Sequence, residues 1–139
     1  MWHPYRSISF LGSGVPPAPI FKVTLLNSER HDNRIYELDA LLDTGADVTL
    51  IPLEAVSVLR LSILDNKVPV VGVGGAMTMG YPCRVDLQFE DVKLPLIEVI
   101  SCEAAAIGMQ GLMIIGRDVL NQFCVKFDGK RQQFSFEFD

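Results

Sequence analysis

The stretch ALLDTGADVTLIP, from Ala40 to Pro52, constrains the fold of this chain more than any other, because it sets a carboxylate inside an apolar run. Asp43 follows two leucines, and apolar residues resume a few positions later. A charged side chain is almost never fully buried unless it is paired, so Asp43 is a candidate for a functional role. The small residues Thr44 and Gly45 behind it would let another backbone approach closely. The pattern predicts a functional acid where a buried strand ends.

The length of the chain bounds its organisation. With 139 residues, the chain suits one hydrophobic core, so we expect a single domain over residues 1–139. The segment GSGVPPAPI is rich in glycine and proline, which favours irregular backbone. We therefore predict an irregular amino-terminal lead, residues 1–19, followed by the core, residues 20–139.

Charge and cysteine usage exclude several classes of protein. The net charge is -5 and the basic residues are not clustered, which argues against a nucleic-acid surface. No apolar run approaches the roughly 18 to 20 residues that span a bilayer, and we expect no membrane partner. Cys83, Cys102 and Cys124 are widely spaced and form neither an even set nor a metal-binding pair, so we interpret them as buried thiols of a cytoplasmic protein and predict no metal site.

Many short apolar segments with period-two alternation predict strands. IFKVTLL, IYELDALLD, LPLIEVI and the wholly apolar LMIIG are of this kind, and CVKFDGKRQQFSFEF is typical of a hairpin with a turn at Asp128 and Gly129. LEAVSVLRLSIL fits a short helix or a loop, and RDVLNQF fits one or two helical turns. Short strands with little helix predict a closed or sandwich-like all-β domain.

Three segments together resemble the retropepsins, the single-domain aspartic proteases that include retroviral proteases. They are LLDTGADVT, the glycine-rich GVGG between two β-rich arms, and MIIGRDVL, in that order along the chain. The resemblance implies an all-β, retropepsin-like acid-protease fold, which is a small closed barrel or sandwich with a flap hairpin and one short carboxy-terminal helix.

The resemblance also implies a role for each matching residue. Asp43 would be the catalytic carboxylate, with Thr44 bracing the site and Gly45 lining the cleft. A structural ion pair would join Asp47 to Arg117. Apart from the resemblance, we expect Asp118 to orient the start of the following helix, because acids favour the first helical turn. The residues that would contact substrate are Ala46 and Asp47 beside the acid and Gly72, Val73, Gly74 and Gly75 in the flap.

One aspartate cannot perform this chemistry alone. One carboxyl must deprotonate the attacking water while a second polarises the scissile carbonyl, so two acids share a proton. The chain has one Asp-Thr-Gly, and a symmetric homodimer would bring a second Asp43 into place. The sequence thus predicts an aspartic endopeptidase that is active as a homodimer on extended polypeptide substrates, with water as nucleophile and no cofactor.

Two alternatives stay open at this point. A retropepsin-like binding or assembly module would keep the fold without turnover, since fold does not fix function. The glycine-rich segment also fits an ordinary hairpin. A dinucleotide site is excluded, because its G-x-G-x-x-G pattern needs a glycine where Met77 stands.

Overall fold

The strands and helices of the chain are short and follow one another closely. We describe them from a computed structural model that covers residues 1–8, 14–64, 66–71, 75, 77–103 and 111–137. The elements are β1 (Trp2–Pro4), β2 (Ile20–Leu26), β3 (Ile35–Leu42), β4 (Leu50–Pro52), α1 (Leu53–Leu59), β5 (Val68–Val71), β6 (Met77–Phe89), β7 (Val92–Cys102), β8 (Leu112–Ile115), α2 (Arg117–Leu120), β9 (Cys124–Asp128) and β10 (Gln133–Glu137). The predicted all-β class is confirmed.

The larger sheet closes into a barrel. Its strands are paired in the order β2, β3, β8, β4, β7 and β6, and β6 then pairs back with β2. β5 extends the sheet beyond the barrel through its pairing with β6. Most neighbours are antiparallel, but β3 runs parallel to β8, and β4 runs parallel to β7. The parallel pairs place the ends of β3 and β8 side by side, which positions the site described below.

The apolar pattern of each strand explains its place in the barrel. In β2, Val23 and Leu25 are buried and Lys22 is exposed, as expected for a strand with one face on the core. β8 is buried at all four of its positions. Met113 and Ile115 face the main core, whereas Leu112 packs with Ile8 and Ile20 on the other face. Both faces of the strand are thus covered, and its sequence LMII is apolar throughout for that reason.

A smaller sheet of β1, β10 and β9 packs on the barrel through aromatic rings. β9 and β10 form the predicted closing hairpin. Phe136 of β10 lies 5.2 Å from the ring of Phe21 and 5.0 Å from the ring of Phe89. Phe134 is fully buried beside them. Each buried phenylalanine contributes about 1.5–3 kcal/mol through its burial, so this cluster holds the two sheets together.

The amino-terminal lead is not irregular throughout, which corrects the prediction for residues 1–19. β1 pairs with β10, and the His3 ring stacks on Phe134 with 5.2 Å between centroids. Ile8 is buried against Ile20 and Leu112. The prediction rested on the glycine and proline of the segment GSGVPPAPI, whereas the first eight residues, which precede that segment, are ordered by strand pairing and apolar contacts.

The segment that fits a helix or a loop is the helix α1. Ala55 and Leu59 form its buried face. Pro52 precedes the helix without a side-chain cap, and Arg60 ends it in the left-handed conformation at φ 55°, a position that usually carries glycine. The ordinary start and stop signals are therefore missing from the sequence, and burial of one face sets the helix instead.

The cysteines differ in their surroundings. Cys83 and Cys102 are buried, but Cys124 is exposed, so the prediction of three buried thiols is wrong for Cys124. Burial raises the pKa of Cys83 to about 11 and also raises the pKa of Cys102. Cys124 differs because β9 is an edge strand, and its side chain is open to solvent.

Membrane spans were also sought among the described residues. No helix there is long and apolar enough to cross a bilayer.

Candidate active site

Asp43 lies directly after β3, where this strand runs beside β8. Leu42 pairs with Ile115 in parallel register, and the Asp43 amide donates to the Ile115 carbonyl over 3.0 Å. The residue that follows β3 is therefore next to Gly116, which follows β8. The sequence predicted an acid where a strand ends, and Asp43 has this position.

The residues after Asp43 form a tight turn. Oδ1 of Asp43 accepts the Gly45 amide at 2.9 Å, and the Ala46 amide donates to the Asp43 carbonyl over 3.1 Å. The Asp43 side chain is half-buried, whereas Thr44 and Gly45 are exposed. The turn fixes the carboxylate over its own backbone and leaves its tip open to another molecule.

Arg117 joins this turn to α2. Its amide donates to the Ala46 carbonyl over 2.9 Å, and its Nη1 donates to the Thr44 carbonyl over 2.8 Å. Its Nη2 contacts Oδ1 of Asp47, the pair that the resemblance implied. Exposed ion pairs contribute little to stability, and Asp47 is 82% exposed. The contacts of Arg117 therefore serve mainly to shape the turn.

A second connection, through Thr49 and Asp118, lies inside the fold. Thr49 is fully buried. Its hydroxyl donates to Oδ1 of Asp118 over 2.7 Å and accepts the Gly116 amide at 3.2 Å, while its amide donates to Oδ2 of Asp118 over 3.0 Å. Asp118 also accepts the Val119 amide at 2.9 Å, so its carboxylate is satisfied within the protein.

Thr49 is a residue that sequence reasoning missed. The available signal was a hydroxyl side chain between Val48 and Leu50, in a run that is otherwise apolar. A buried hydroxyl needs a partner, but the sequence does not show that the partner is Asp118.

Gly116 lets the end of β8 approach the turn closely. A Cβ at this position would lie 2.6 Å from the Val48 carbonyl oxygen and 2.9 Å from the Ala46 carbonyl oxygen. Both are backbone atoms, which cannot move aside as a flexible side chain can. Glycine is therefore required for the contact between the turn and the start of α2.

A cavity of about 470 Å³ opens beside the turn. The residues after Asp43 form part of its wall, and β4, β5 and β7 supply the rest. The predicted substrate-binding residues Ala46 and Asp47 are in this wall, together with Gly45. The aliphatic part of the lining was not predicted, because it combines separate strands. The cavity is lined by Gly45, Ala46, Asp47, Val48, Leu50, Val68, Pro69, Val70, Val71 and Ile100.

The hairpin of β5 and β6 borders the cavity. Its outermost pair joins Val71 to Met77, and these side chains are 67% and 68% exposed. Gly75 lies beyond this pair at φ 80°, a conformation that favours glycine. The other predicted residues of this segment, Gly72, Val73 and Gly74, lie outside the described residues.

The acids around the turn are held in different ways. Arg117 contacts Asp47, and Thr49 binds Asp118, whereas Asp43 accepts a backbone amide. Over the described ranges, no three side chains of the metal-binding types lie close enough together to hold an ion. Of these three acids, Asp43 is the one whose contacts among the described residues involve only backbone atoms.

The comparison with family profiles identifies the family. The profile described as "Retroviral aspartyl protease" matches residues 17–128. The matched span includes both the Asp43 turn and α2. The chain belongs to the retroviral aspartyl protease family. The resemblance drawn from three short segments is thereby confirmed.

Solved structures of aspartyl proteases share the fold of this family member. "EIAV protease complexed with the inhibitor HBY-793" is 19% identical with a TM-score of 0.53, over 79% of this chain and 91% of that chain. "Crystal structure of a retropepsin-like aspartic protease from Rickettsia conorii" is 13% identical with a TM-score of 0.50, over 84% of this chain and 90% of that chain. No curated protein matches the chain. The retropepsin-like fold is confirmed.

Proposed function

We propose that this family member is an active aspartic endopeptidase and that it works as a homodimer. The observation that carries the proposal is the Asp43 turn, which is braced from behind by Arg117 and exposed at Thr44 and Gly45. A symmetric dimer that meets at the exposed tips would bring two Asp43 carboxyl groups together.

The chemistry needs two acids in different protonation states. One Asp43 carboxylate takes a proton from water as the water oxygen attacks the peptide carbonyl carbon, and the protonated Asp43 of the other protomer donates to the carbonyl oxygen. As the C–N bond of the tetrahedral intermediate breaks, the amine takes the proton now held by the first Asp43. One hydroxyl of the intermediate returns its proton to the second Asp43 as the new carbonyl forms, so the pair again holds one proton. Two carboxyl groups this close share one proton, so both roles are filled by identical residues.

The substrate would be an extended polypeptide. Its backbone would pair with strand edges at the cleft, and its side chains would enter pockets such as the 470 Å³ cavity. The β5–β6 hairpin would act as the flap that closes over the bound peptide and excludes water. We place the protein in a reducing compartment such as the cytoplasm, because Cys83 and Cys102 are buried free thiols.

The decisive test compares the native chain with Asp43→Asn in a digest of a peptide library. The assay runs at several pH values between about 4 and 7, because the pair must hold one shared proton to work. Asparagine keeps an oxygen that can accept the Gly45 amide, so the variant should fold and dimerise but show no cleavage above background. Sedimentation equilibrium and circular dichroism check its assembly and fold.

The matched control is Asp91→Asn, the same change at an exposed residue of the β6–β7 turn, which should keep full activity. Cleavage retained in Asp43→Asn would overturn the proposal. A native chain that binds peptides but cuts none of them would favour the binding or assembly module.

A further inference from the structure

Gly80 occupies the junction between the β5–β6 hairpin and the barrel. It pairs with Val68 of β5, and the next residue, Tyr81, pairs with Ser101 of β7. β6 thus changes its partner strand at this position. Gly80 is buried, although it has no side chain to contribute to the core.

The space beside Gly80 is filled by side chains from both neighbouring strands. A Cβ at this position would lie 2.4 Å from Cγ2 of Ile100 and 2.8 Å from Cγ2 of Val70. These separations are far below van der Waals contact, so an added methyl group would displace both residues. Val70 and Ile100 also line the cavity beside the Asp43 turn.

We propose that Gly80 determines the size of the substrate side chain that this cavity accepts. Val70 and Ile100 contact the cavity on one side and the Gly80 backbone on the other, whereas Gly80 is not part of the lining. The absent side chain lets both residues withdraw from the cavity. Gly80 is a positioning residue that acts through Val70 and Ile100, and its role rests on the proposed peptidase function.

The lining indicates which side chains the cavity takes. Val48, Leu50, Val68 and Ile100 are aliphatic, and the carboxylate of Asp47 is engaged by Arg117. Burial of a charged side chain against such walls is costly. The cavity therefore takes a large apolar side chain, such as leucine or phenylalanine, and Gly80 keeps it deep enough to do so.

The test uses peptides that differ at one position. A peptide that the native chain cuts is made with Ala, Val, Leu or Phe at each position in turn, and kcat/KM is measured for each. In Gly80→Ala, kcat/KM for the peptides with Leu or Phe at one of these positions should fall roughly tenfold or more relative to kcat/KM for the peptide with Ala there. This is the scale of size discrimination in an apolar pocket. The loss should reside mainly in KM.

Further variants separate this effect from a general loss of structure. Ile100→Ala should shift the preference at the same position towards Phe, and Gly80→Ala combined with Ile100→Ala should restore the native preference. Gly129→Ala is the matched control, because no atom lies within 4 Å of its Cβ position, and it should leave all peptides unchanged. If Gly80→Ala alone does not fold, Ile100→Ala is compared with the double variant. These two chains differ only by the methyl group at residue 80, so the comparison measures the effect of that group on the size preference.

The failure of this proposal differs from the failure of the proposed function. Equal losses for all peptides in Gly80→Ala, or unchanged selectivity, would overturn the role of Gly80 while leaving the peptidase intact. If the native chain cuts no peptide, the proposed function fails, and fluorescence anisotropy of the same labelled peptides then measures the size preference as binding. A preference that is identical in native and variant chains would overturn the inference in that case also.

Discussion

Thr49 shows how much one buried hydroxyl can organise. Its hydroxyl contacts Gly116, which follows β8, and Asp118, which belongs to α2. Thr49 and Asp118 are 69 positions apart in the sequence. The buried hydroxyl therefore joins the segment that follows the Asp43 turn to the start of α2.

Replacement of Thr49 by valine should destabilise the fold. Valine has nearly the same shape, but it leaves the Gly116 amide without its acceptor and removes one donor to Asp118. An unsatisfied buried polar group costs about 1–3 kcal/mol, and we expect a loss of that size in the free energy of unfolding, measured in urea. Thr49→Ser keeps the hydroxyl and should lose clearly less. Equal losses in the two variants would contradict the role of the hydrogen bonds.

Single residues were predictable from the sequence only where a local motif carries them. The position of Asp43 and the ion pair of Asp47 with Arg117 were predicted from short segments that resemble a family specifically. Thr49 and Gly80 carry no such motif, because their importance depends on neighbours from distant strands. The exposure of Cys124 was mispredicted for the same reason, since the sequence does not show that β9 lies at an edge.

At the scale of elements, the junction of β8 and α2 depends on Gly116. Gly116→Ala would place a methyl group against the Val48 and Ala46 carbonyl oxygens. Overpacking of this kind lowers the free energy of unfolding by about 1–3 kcal/mol. We expect a loss near the upper end of this range, because the contacted atoms belong to the backbone. We expect a lower urea midpoint for Gly116→Ala. Gly129→Ala should stay within about 0.5 kcal/mol of the native chain, and a native midpoint for both variants would contradict the close approach.

Elements with strong alternation were predicted well, and elements fixed by tertiary contacts were not. β2, β3 and β8 follow directly from their apolar patterns. α1 was ambiguous because it lacks sequence caps, and β1 was missed because its three residues carry no periodicity of their own. Pairing with β10 and stacking on Phe134 create β1, and neither is visible in a local pattern.

At the scale of the whole molecule, a dimeric enzyme makes a quantitative prediction about mixtures. An equal amount of Asp43→Asn chain, added to the native chain and allowed to exchange, leaves about a quarter of the dimers with two native chains. The total cleavage rate should therefore fall to about half. The Asp91→Asn chain, which retains Asp43, should raise the rate when it is added instead. A rate that does not respond to Asp43→Asn would indicate a monomeric enzyme or no exchange, which sedimentation of the mixture distinguishes.

The closed barrel itself was only partly predictable. Composition and strand count indicate an all-β domain. The residues of a strand do not identify its partners, however, so the pairing of β3 with β8 and the pairing of β6 with β2 were not predicted. The cavity has the same origin, because its aliphatic wall combines four residues of β5 with Leu50 of β4 and Ile100 of β7. The sequence therefore indicated Asp43 and Arg117, whereas the cavity became apparent only in the structure.

The parallel pairing of β3 with β8 also sets when the site can exist during folding. β8 follows β3 late in the chain, and pairings between distant segments form slowly, because the intervening chain must first lose its freedom. The Asp43 amide has no Ile115 carbonyl to bind until that pairing is made. A nascent chain whose synthesis has not reached β8 therefore lacks the hydrogen bond that holds Asp43 beside the end of β8, however well its first half has folded.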